Sequence, residues 1–363
     1  MALYPSPNSP TNSAEEPEIK TVGIDIGKTW FHLIGCNHVG TPVARHKLNR
    51  SKLMQFIANL PRCLIAMEAC PGSQHLSRAF QRHGHDVRLI APKFVKPYLK
   101  GQKNDFNDAA AIAEAVTRPT MRFVPPRSNE QLDLQAAHRI RDRLIGERTA
   151  VINQIRAFLI EYGLPIKEGR AALRRNLVDV LEDAENGLSG RMRQLIARLR
   201  EHWQRLESQI DECTQEIELV AKRNDDCRRL VAVPGIGPLG ATALIAAIGN
   251  GATFRKGREL AAWLGLVPRQ RTTGGKPTLL GISKRGNSYL RRLFIHGARS
   301  VLQHLKRDDH ELGSWVTQLE TRAHKNVVIV AIANKIARIA WAVLARQENY
   351  RSCAVSRSVT LSV

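Results

Sequence analysis

Apolar and polar positions in the first third of the chain alternate in short bursts. KTVGIDI, TWFHLIGC and TPVARHKL follow one another with turn residues between them and predict a three-strand meander. Helix and strand then alternate: SKLMQFIANL as a helix, RCLIAMEA as a strand, a helix from Pro71 to about Arg82, HDVRLIAP as a strand, and a helix opening near Asp105. Three strands followed by alternating helices and strands predict a mixed sheet with helices packed on it.

From about Arg127 to Arg229 the pattern changes to long runs rich in Arg, Glu, Leu and Ile. Leu195, Leu199, Trp203, Leu206 and Ile210 recur at helical spacing with charge between them, which predicts an antiparallel helical hairpin or a coiled coil. Such a region serves as an arm, a dimer contact or a solvated spacer with one packed seam. From Leu230 onward the chain reads as mostly α, with one loop-rich interruption around RQRTTGGKP, Arg269 to Pro277. The expected divisions are a disordered N-terminal tail over 1–19, an α/β domain over 20–126, a helical or coiled-coil region over 127–229, a mostly α domain over 230–346 and a C-terminal tail over 347–363. The order of elements in the α/β domain matches the RNase H-like fold.

Composition narrows the function. The chain has 363 residues, 43% of them hydrophobic, enough for two or three domains with cores. Its 55 Lys and Arg against 33 Asp and Glu leave a formal charge of +22, a field that gathers polyanions and makes nucleic acid the first expected partner. Cys36, Cys63, Cys70, Cys213, Cys227 and Cys353 form no C-x-x-C pair, so neither a zinc site nor a disulfide framework is expected, and a reducing cytoplasm is. MALYPSPNSPTNSAEEPE has no apolar core region, which argues against a secretory signal. The late apolar run Val327 to Leu344 carries Asn334, Lys335 and Arg338 and reads as a packed helix, with no membrane expected as a partner.

Against that positive background the acids stand out. Asp25 lies near the end of a strand, ahead of Gly27, and Glu68 ends a second apolar strand, where an acid is costly unless solvated, paired or bound to metal. Asp105 and Asp108 stand three apart at a helix start, on one face. Asp105 as N-cap with an acid at the third helical position would be ordinary capping. Together, four carboxylates on two strands and one helix can converge to hold Mg²⁺ or Mn²⁺ through oxygen ligands, leaving positions for water and phosphate oxygens. GIDIGKT also invites comparison with the phosphate loop of actin-like ATPases, but the later glycine-rich adenosine loop of that site is missing.

Three further stretches point to phosphate. PGIGP, with Gly235 and Gly237 ahead of an apolar helix, reads as a helix-hairpin-helix-like element whose backbone N–H groups can hold phosphate, or as a plain glycine-rich helix junction. ISKRGNSYLRRLFIHGAR gathers Lys284, Arg285, Arg291 and Arg292 around a helix start, as a phosphate-contacting surface or a solvated face. RQRTTGGKP is not a nucleotide-binding P-loop, because Lys276 is followed by Pro277 and the upstream glycine is missing. It is a structural turn or the carrier of a hydroxyl nucleophile.

The four acids, the helical middle, PGIGP, GLVPRQ followed by a hydroxyl-Gly pair, and ISKRGN-x-x-LR resemble, in order and spacing over residues 20 to 345, the DEDD-type transposases of the insertion-sequence one-ten family, its eleven-eleven subgroup and the related Piv DNA invertases. The resemblance implies a RuvC-like N-terminal domain whose Asp25, Glu68, Asp105 and Asp108 bind a divalent metal. It also implies a C-terminal transposase domain supplying a nucleophilic hydroxyl, DNA partners in the element's ends and target site, a structured guide RNA, and a homodimer or homotetramer. A bacterial, nucleoid-associated enzyme in the cytoplasm is implied as well. Where the family shows a serine before the glycine, this chain has Thr272 and Thr273: counting from GLVP favours Thr273, counting back from ISK favours Thr272, and Ser283 is the nearby serine. The alternatives are a RuvC-like metal-dependent nuclease without a covalent intermediate and a non-catalytic nucleic-acid-binding protein.

Overall fold

A six-stranded sheet organises the first part of the computed structural model, which describes residues 18–102, 104–305 and 311–351. The chain divides between Arg127 and Ser128 into two compact units. Most of the expected N-terminal tail, and the C-terminal tail from residue 352 with Cys353, lie outside the described residues.

In the first unit β1 (Thr21–Ile26), β2 (Trp30–Cys36) and β3 (Pro42–Asn49) form the predicted antiparallel meander. Helix α1 (Arg50–Asn59) leads to β4 (Leu64–Glu68), and α2 (Ser73–Arg82) to β5 (Asp86–Ile90). β4 pairs parallel with β1, and β5 parallel with β4. A short α3 (Pro92–Val95) precedes α4 (Asp105–Val116), and β6 (Phe123–Val124) closes the far edge antiparallel to β5. The order across the sheet is β3-β2-β1-β4-β5-β6.

The period-two alternation of β1 decides what covers each face. Val22 and Ile24 enter a core with Leu53 and Ile57 of α1 and Leu76 and Phe80 of α2. Gly23 and Asp25 face the other way, and Gly23 lies against Ala109 and Ala113 of α4. Ile34 and Cys36 of β2 join those two alanines in a smaller core on the same side. Both faces of β1 are thus covered, which is why it reads as a nearly continuous apolar run interrupted by one glycine and one acid.

The second unit is helical with one exception. Helices α5 (Asn129–Glu161) and α7 (Gly190–Arg223) run antiparallel, with Arg141 early in α5 donating to Thr214 late in α7 at 2.7 Å. Their seam includes Ile152, Ile155, Leu159, Ile196, Trp203 and Leu206, joined by Leu173 and Leu177 of α6 (Arg170–Glu182), a helix not anticipated from the pattern. The predicted stripe is corrected at its first residue: Leu195 is 41% exposed and Ile196 takes the buried place.

Helices α8 (Asp225–Val231), α9 (Pro238–Ile248), α10 (Gly257–Trp263), α11 (Ser288–His304), α12 (Glu311–Glu320) and α13 (Lys325–Arg346) share one core. α13 is the one helix among the described residues long and apolar enough to cross a membrane, and half of that stretch is buried within the protein. Its polar residues are spent on the fold: Asn334 Nδ2 donates to the Leu266 carbonyl at 3.2 Å, and Lys335 Nζ lies 4.3 Å from the centre of the Trp315 ring.

The expected loop-rich interruption is instead a β-hairpin, β7 (Pro268–Thr273) and β8 (Lys276–Ile282). Gly274 and Gly275 form its two-residue turn with φ of 56° and 75°. Positive φ at both central positions matches the twist of the strands, and glycine adopts it without the Cβ clash other residues would suffer.

Candidate active site

Two parallel strands bring two acids to one sheet edge. β1 and β4 pair through Gly23–Ala66 and Ile24–Met67, so Asp25 and Glu68 each follow one residue beyond the last pair. Parallel strands end at the same side of a sheet, and both acids share the face that α4 covers. The third and fourth come from the first turn of α4, where Asp105 and Asp108 stand three residues apart.

The capping expectation for Asp105 is corrected. Asn104 is the N-cap, its Oδ1 accepting from the Phe106 N–H at 2.9 Å, and Asp105 is the first helical residue. Asn104 satisfies the helix start, which leaves the Asp105 carboxylate available. One oxygen each from Asp25, Asp105 and Asp108 lies within 4.8 Å of the others.

Glycine sets how close α4 comes. A β-carbon on Gly23 would stand 2.2 Å from the Ala109 carbonyl oxygen and 2.6 Å from the Ala113 nitrogen. No other residue permits that approach, so Gly23, two residues before Asp25, controls the distance between the strand acid and the helix acids. Gly27 does similar work at the β1–β2 turn, where a β-carbon would stand 2.3 Å from the Trp30 carbonyl oxygen.

The electrostatics are those of a cluster of like charges. Burial, followed by the charges of Asp108 and Asp105, pushes the Asp25 carboxyl above its usual 3.8, against smaller opposing pulls from His32 and a backbone hydrogen bond at Ile26. Burial, followed by Asp25 and Asp108, pushes Glu68 above its usual 4.5. His32 sits opposite Asp25 in the β1–β2 ladder, buried, with Nδ1 3.5 Å from Asp105 Oδ2. Its ring packs edge-on against Phe106, with centroids 4.7 Å apart.

This donor set fits a hard divalent cation. Carboxylate oxygens bind such ions at about 2.0–2.6 Å, so ligands of one ion lie up to roughly 4–5 Å apart. A fold that holds several acids together in partial burial bears a repulsion that a cation relieves. Gly23, His32 and Asn104 belong to this arrangement and were not singled out in the sequence. A glycine inside an apolar strand, two residues from an acid, was the available signal for the first.

The second unit carries the remaining candidates. Thr272 and Thr273 both lie on β7 and are exposed, on opposite faces of the hairpin. Thr273 pairs with Lys276 and shares its face with the Arg271–Thr278 pair; Thr272 pairs with Pro277 and shares its face with Gln270 and Leu279. Gln270 Nε2 donates to Thr272 Oγ1 at 2.9 Å.

The ISKRGN segment forms the base of this hairpin. Ser283 N–H donates to the Val267 carbonyl at 2.8 Å and Lys284 N–H to the Gly265 carbonyl at 3.2 Å. A β-carbon on Gly286 would lie 1.8 Å from the Trp263 carbonyl oxygen, so the two strands of this base meet backbone to backbone. Arg291 donates through one nitrogen to the carbonyls of Leu264 and Arg285, both at 3.0 Å. Arg292 forms an ion pair with Asp142 of α5, while Lys284 adopts φ of 54° in the base itself.

PGIGP forms the turn between α8 and α9. Gly235, at φ of 85°, meets Gly297 of α11, whose own β-carbon would lie 1.9 Å from the Gly235 oxygen. Gly237 precedes α9 as its N-cap and has open space around it. A shallow groove runs past this turn, bordered by His296 and Ser300.

Comparison with known proteins connects both units to one group. Residues 22–163 match a DEDD transposase family, and residues 227–312 match the Transposase IS116/IS110/IS902 family. A probable family 20 transposase of Pseudomonas aeruginosa is 44% identical over 334 residues, 92% of this chain and 99% of the relative. The transposase for insertion sequence element IS1111A of Coxiella burnetii is 43% identical over 334 residues, 92% of each chain. More distantly, the pilin gene-inverting protein of Moraxella bovis is 26% identical over 274 residues, covering 72% of this chain and 73% of the relative.

Proposed function

The chain belongs to the IS116/IS110/IS902 family of transposases, enzymes that cut and rejoin DNA, and from that premise we propose that Asp25, Glu68, Asp105 and Asp108 hold Mg²⁺ or Mn²⁺ for the cutting step. The observation that carries this reading is the convergence of the Asp25, Asp105 and Asp108 oxygens within 4.8 Å. A divalent cation bound there supplies charge to offset the developing negative charge on a phosphodiester. The protein's own residues fix the ligand oxygens: β1 and β4 hold two rigidly, and Asn104 frees Asp105 from capping, with His32 Nδ1 3.5 Å from its Oδ2.

The second chemical component is a hydroxyl that attacks phosphorus. Thr273 is the better placed of the two threonines, since Arg271 and Lys276 share its hairpin face and offer two cations for a phosphate. Its methyl group crowds the attack more than a serine would, without removing the chemistry. The hairpin turn at Gly274 and Gly275 presents it at an exposed tip, clamped at the base by Arg291.

A structured guide RNA pairing with element ends and target completes the reading, with the protein acting in the cytoplasm as a homodimer or homotetramer. The charge of +22 supports binding to polyanions of either kind. Gly237, Lys284 and Arg285 remain candidates for phosphate contacts, whereas Gly235, Arg291 and Arg292 have structural partners of their own. The test is purification of the full chain followed by an excision and insertion assay. A discrete co-purifying RNA, and loss of recombination in Asp25→Asn and Asp105→Asn, are expected; intact recombination in both variants would remove the metal-site reading.

A further inference from the structure

The sheet face that carries the acids continues past them into a row of exposed basic and aromatic side chains. In the ladder, Asp25 of β1 stands opposite His32 of β2, and His32 stands opposite Lys47 of β3. Two residues along on either side, Trp30 pairs with Asn49 and Ile34 with Arg45. Side chains two apart on a strand share a face, so Trp30, Lys47 and Arg45 lie on the side of the sheet to which Asp25 belongs. Neighbouring strands are about 4.8 Å apart, which puts the Lys47 backbone roughly 10 Å from that of Asp25.

Each member of the row is oddly placed for a purely structural role. Trp30 is 46% exposed, at the first position of a strand otherwise buried. Lys47 Nζ lies 5.4 Å from the centre of its ring. Arg45 stacks 3.9 Å from the centre of the Phe106 ring, immediately beside Asp105 in sequence. Both cations are exposed, and neither forms an ion pair with a carboxylate among the described residues. β3 is moreover an edge strand, with helix α4 covering β1 and β2 rather than β3.

An exposed indole beside cations that have no carboxylate partner matches what a single nucleic-acid strand requires: an aromatic platform for a base and positive charge along the backbone. We infer that Trp30, Lys47 and Arg45 form a track for a single-stranded stretch of the DNA being cut, with a base stacked on Trp30 and phosphates on Lys47 and Arg45. The assignment rests on the reading of the acids as the DNA-cutting site, because the row lies on the face of Asp25, two strands away with the buried His32 between them. The occupant is DNA rather than the guide RNA for that reason: the track shares the face of the acids.

The experiment measures binding of a short fluorescein-labelled single-stranded DNA, and of an RNA of the same sequence, to the full chain freed of nucleic acid and held in chelator. Trp30→Ala weakens DNA binding about tenfold, the scale of one lost stacking contact, while Trp30→Phe keeps most of the affinity. Lys47→Ala lowers the slope of log affinity against log salt by about 0.7, one phosphate contact on a single strand. Arg62→Ala, which removes the same charge ahead of β4, at the opposite strand end from Glu68, leaves the slope nearer wild type.

Wild-type DNA binding by both Trp30→Ala and Lys47→Ala overturns the track, and so does a loss confined to the RNA probe. Trp30→Phe preserves an aromatic side chain on β2, so loss there equal to that of Trp30→Ala assigns the effect to damaged folding and also overturns it. Binding in chelator needs no cutting, so the outcome is independent of the metal site. Asp25→Asn reports on that separately: retained cutting in this variant sinks the metal-site reading while leaving the binding result to stand.

Discussion

Gly23 of β1 and Ala109 of α4 approach so closely that a β-carbon on the glycine would stand 2.2 Å from the alanine carbonyl oxygen. The obstacle is helix backbone, which cannot rotate aside, so α4 itself must shift. Gly23→Ala is expected to destabilise the protein by about 1–3 kcal/mol, the scale of an overpacked core. It should also reduce DNA cutting by more than the fraction unfolded, because Asp105 and Asp108 ride on the helix that moves. Thermal melting and a strand-cutting assay on the same preparation check both.

Asp25→Asn is expected to abolish recombination while raising stability in chelator at neutral pH. The amide keeps the shape of the side chain and removes a charge that burial, Asp108 and Asp105 all disfavour. Denaturant unfolding of wild type and variant, with and without Mg²⁺, reads the stability change, and the excision assay reads the activity.

The raised carboxyls of Asp25 and Glu68 fix the sign of a pH effect. Their folded forms hold protons to higher pH than their unfolded forms, so unfolding releases protons. In chelator the stability they contribute is present below the usual 3.8 and 4.5 and is lost as pH rises through the raised values. Mg²⁺ or Mn²⁺ should restore it at pH 7 and have little effect near pH 4, because the ion binds the ionised form. Amide hydrogen exchange of β1 and β4 across pH, with and without the ion, shows whether that crossover exists.

Thr273→Ala should eliminate a covalent protein–DNA adduct, Thr273→Ser should retain or increase it, and Thr272→Ala should leave it within a few-fold of wild type. The two hydroxyls lie on opposite hairpin faces, and only Thr273 shares its face with Arg271 and Lys276. Mass spectrometry of a trapped adduct identifies the attached residue directly, and attachment at Thr272 or Ser283 would reverse the assignment.

Arg291→Ala is expected to destabilise the second unit by about 1–3 kcal/mol, leaving the Leu264 and Arg285 carbonyls without their charged donor. As a structural clamp it should leave the salt slope of DNA binding unchanged, unlike removal of a phosphate contact, which lowers the slope by about one unit. Melting and a salt titration on the same variant distinguish the two.

Much of this protein is legible in its sequence because the signals are local. The period-two pattern of KTVGIDI and TWFHLIGC, the apolar runs at Glu68 and Ile90, and the helix opening at Asn104–Asp105 are consequences of alternation and of backbone groups seeking partners within a few residues. The local pattern is ambiguous where two neighbouring residues offer the same solution. Asp105 and Asn104 are both good caps, and Leu195 and Ile196 are both apolar at a helix start; packing chose the second in each case. The glycine pair of RQRTTGGKP permitted a loop or a turn, and only strand pairing from Pro268 to Ile282 made it a hairpin.

Residue type and short-range spacing carry most of the elements, the basic balance and the placing of four acids at two strand ends and a helix start, but neither α6 nor the β7–β8 hairpin. Tertiary structure decided that Asp25, Asp105 and Asp108 meet within 4.8 Å, that Gly23 is what lets them, that Thr272 and Thr273 face opposite ways, and that Trp30 and Lys47 share the face of Asp25. Those facts depend on strand register and helix approach, where a shift of one residue turns every side chain to the other face, and no local pattern encodes which register the packed chain adopts.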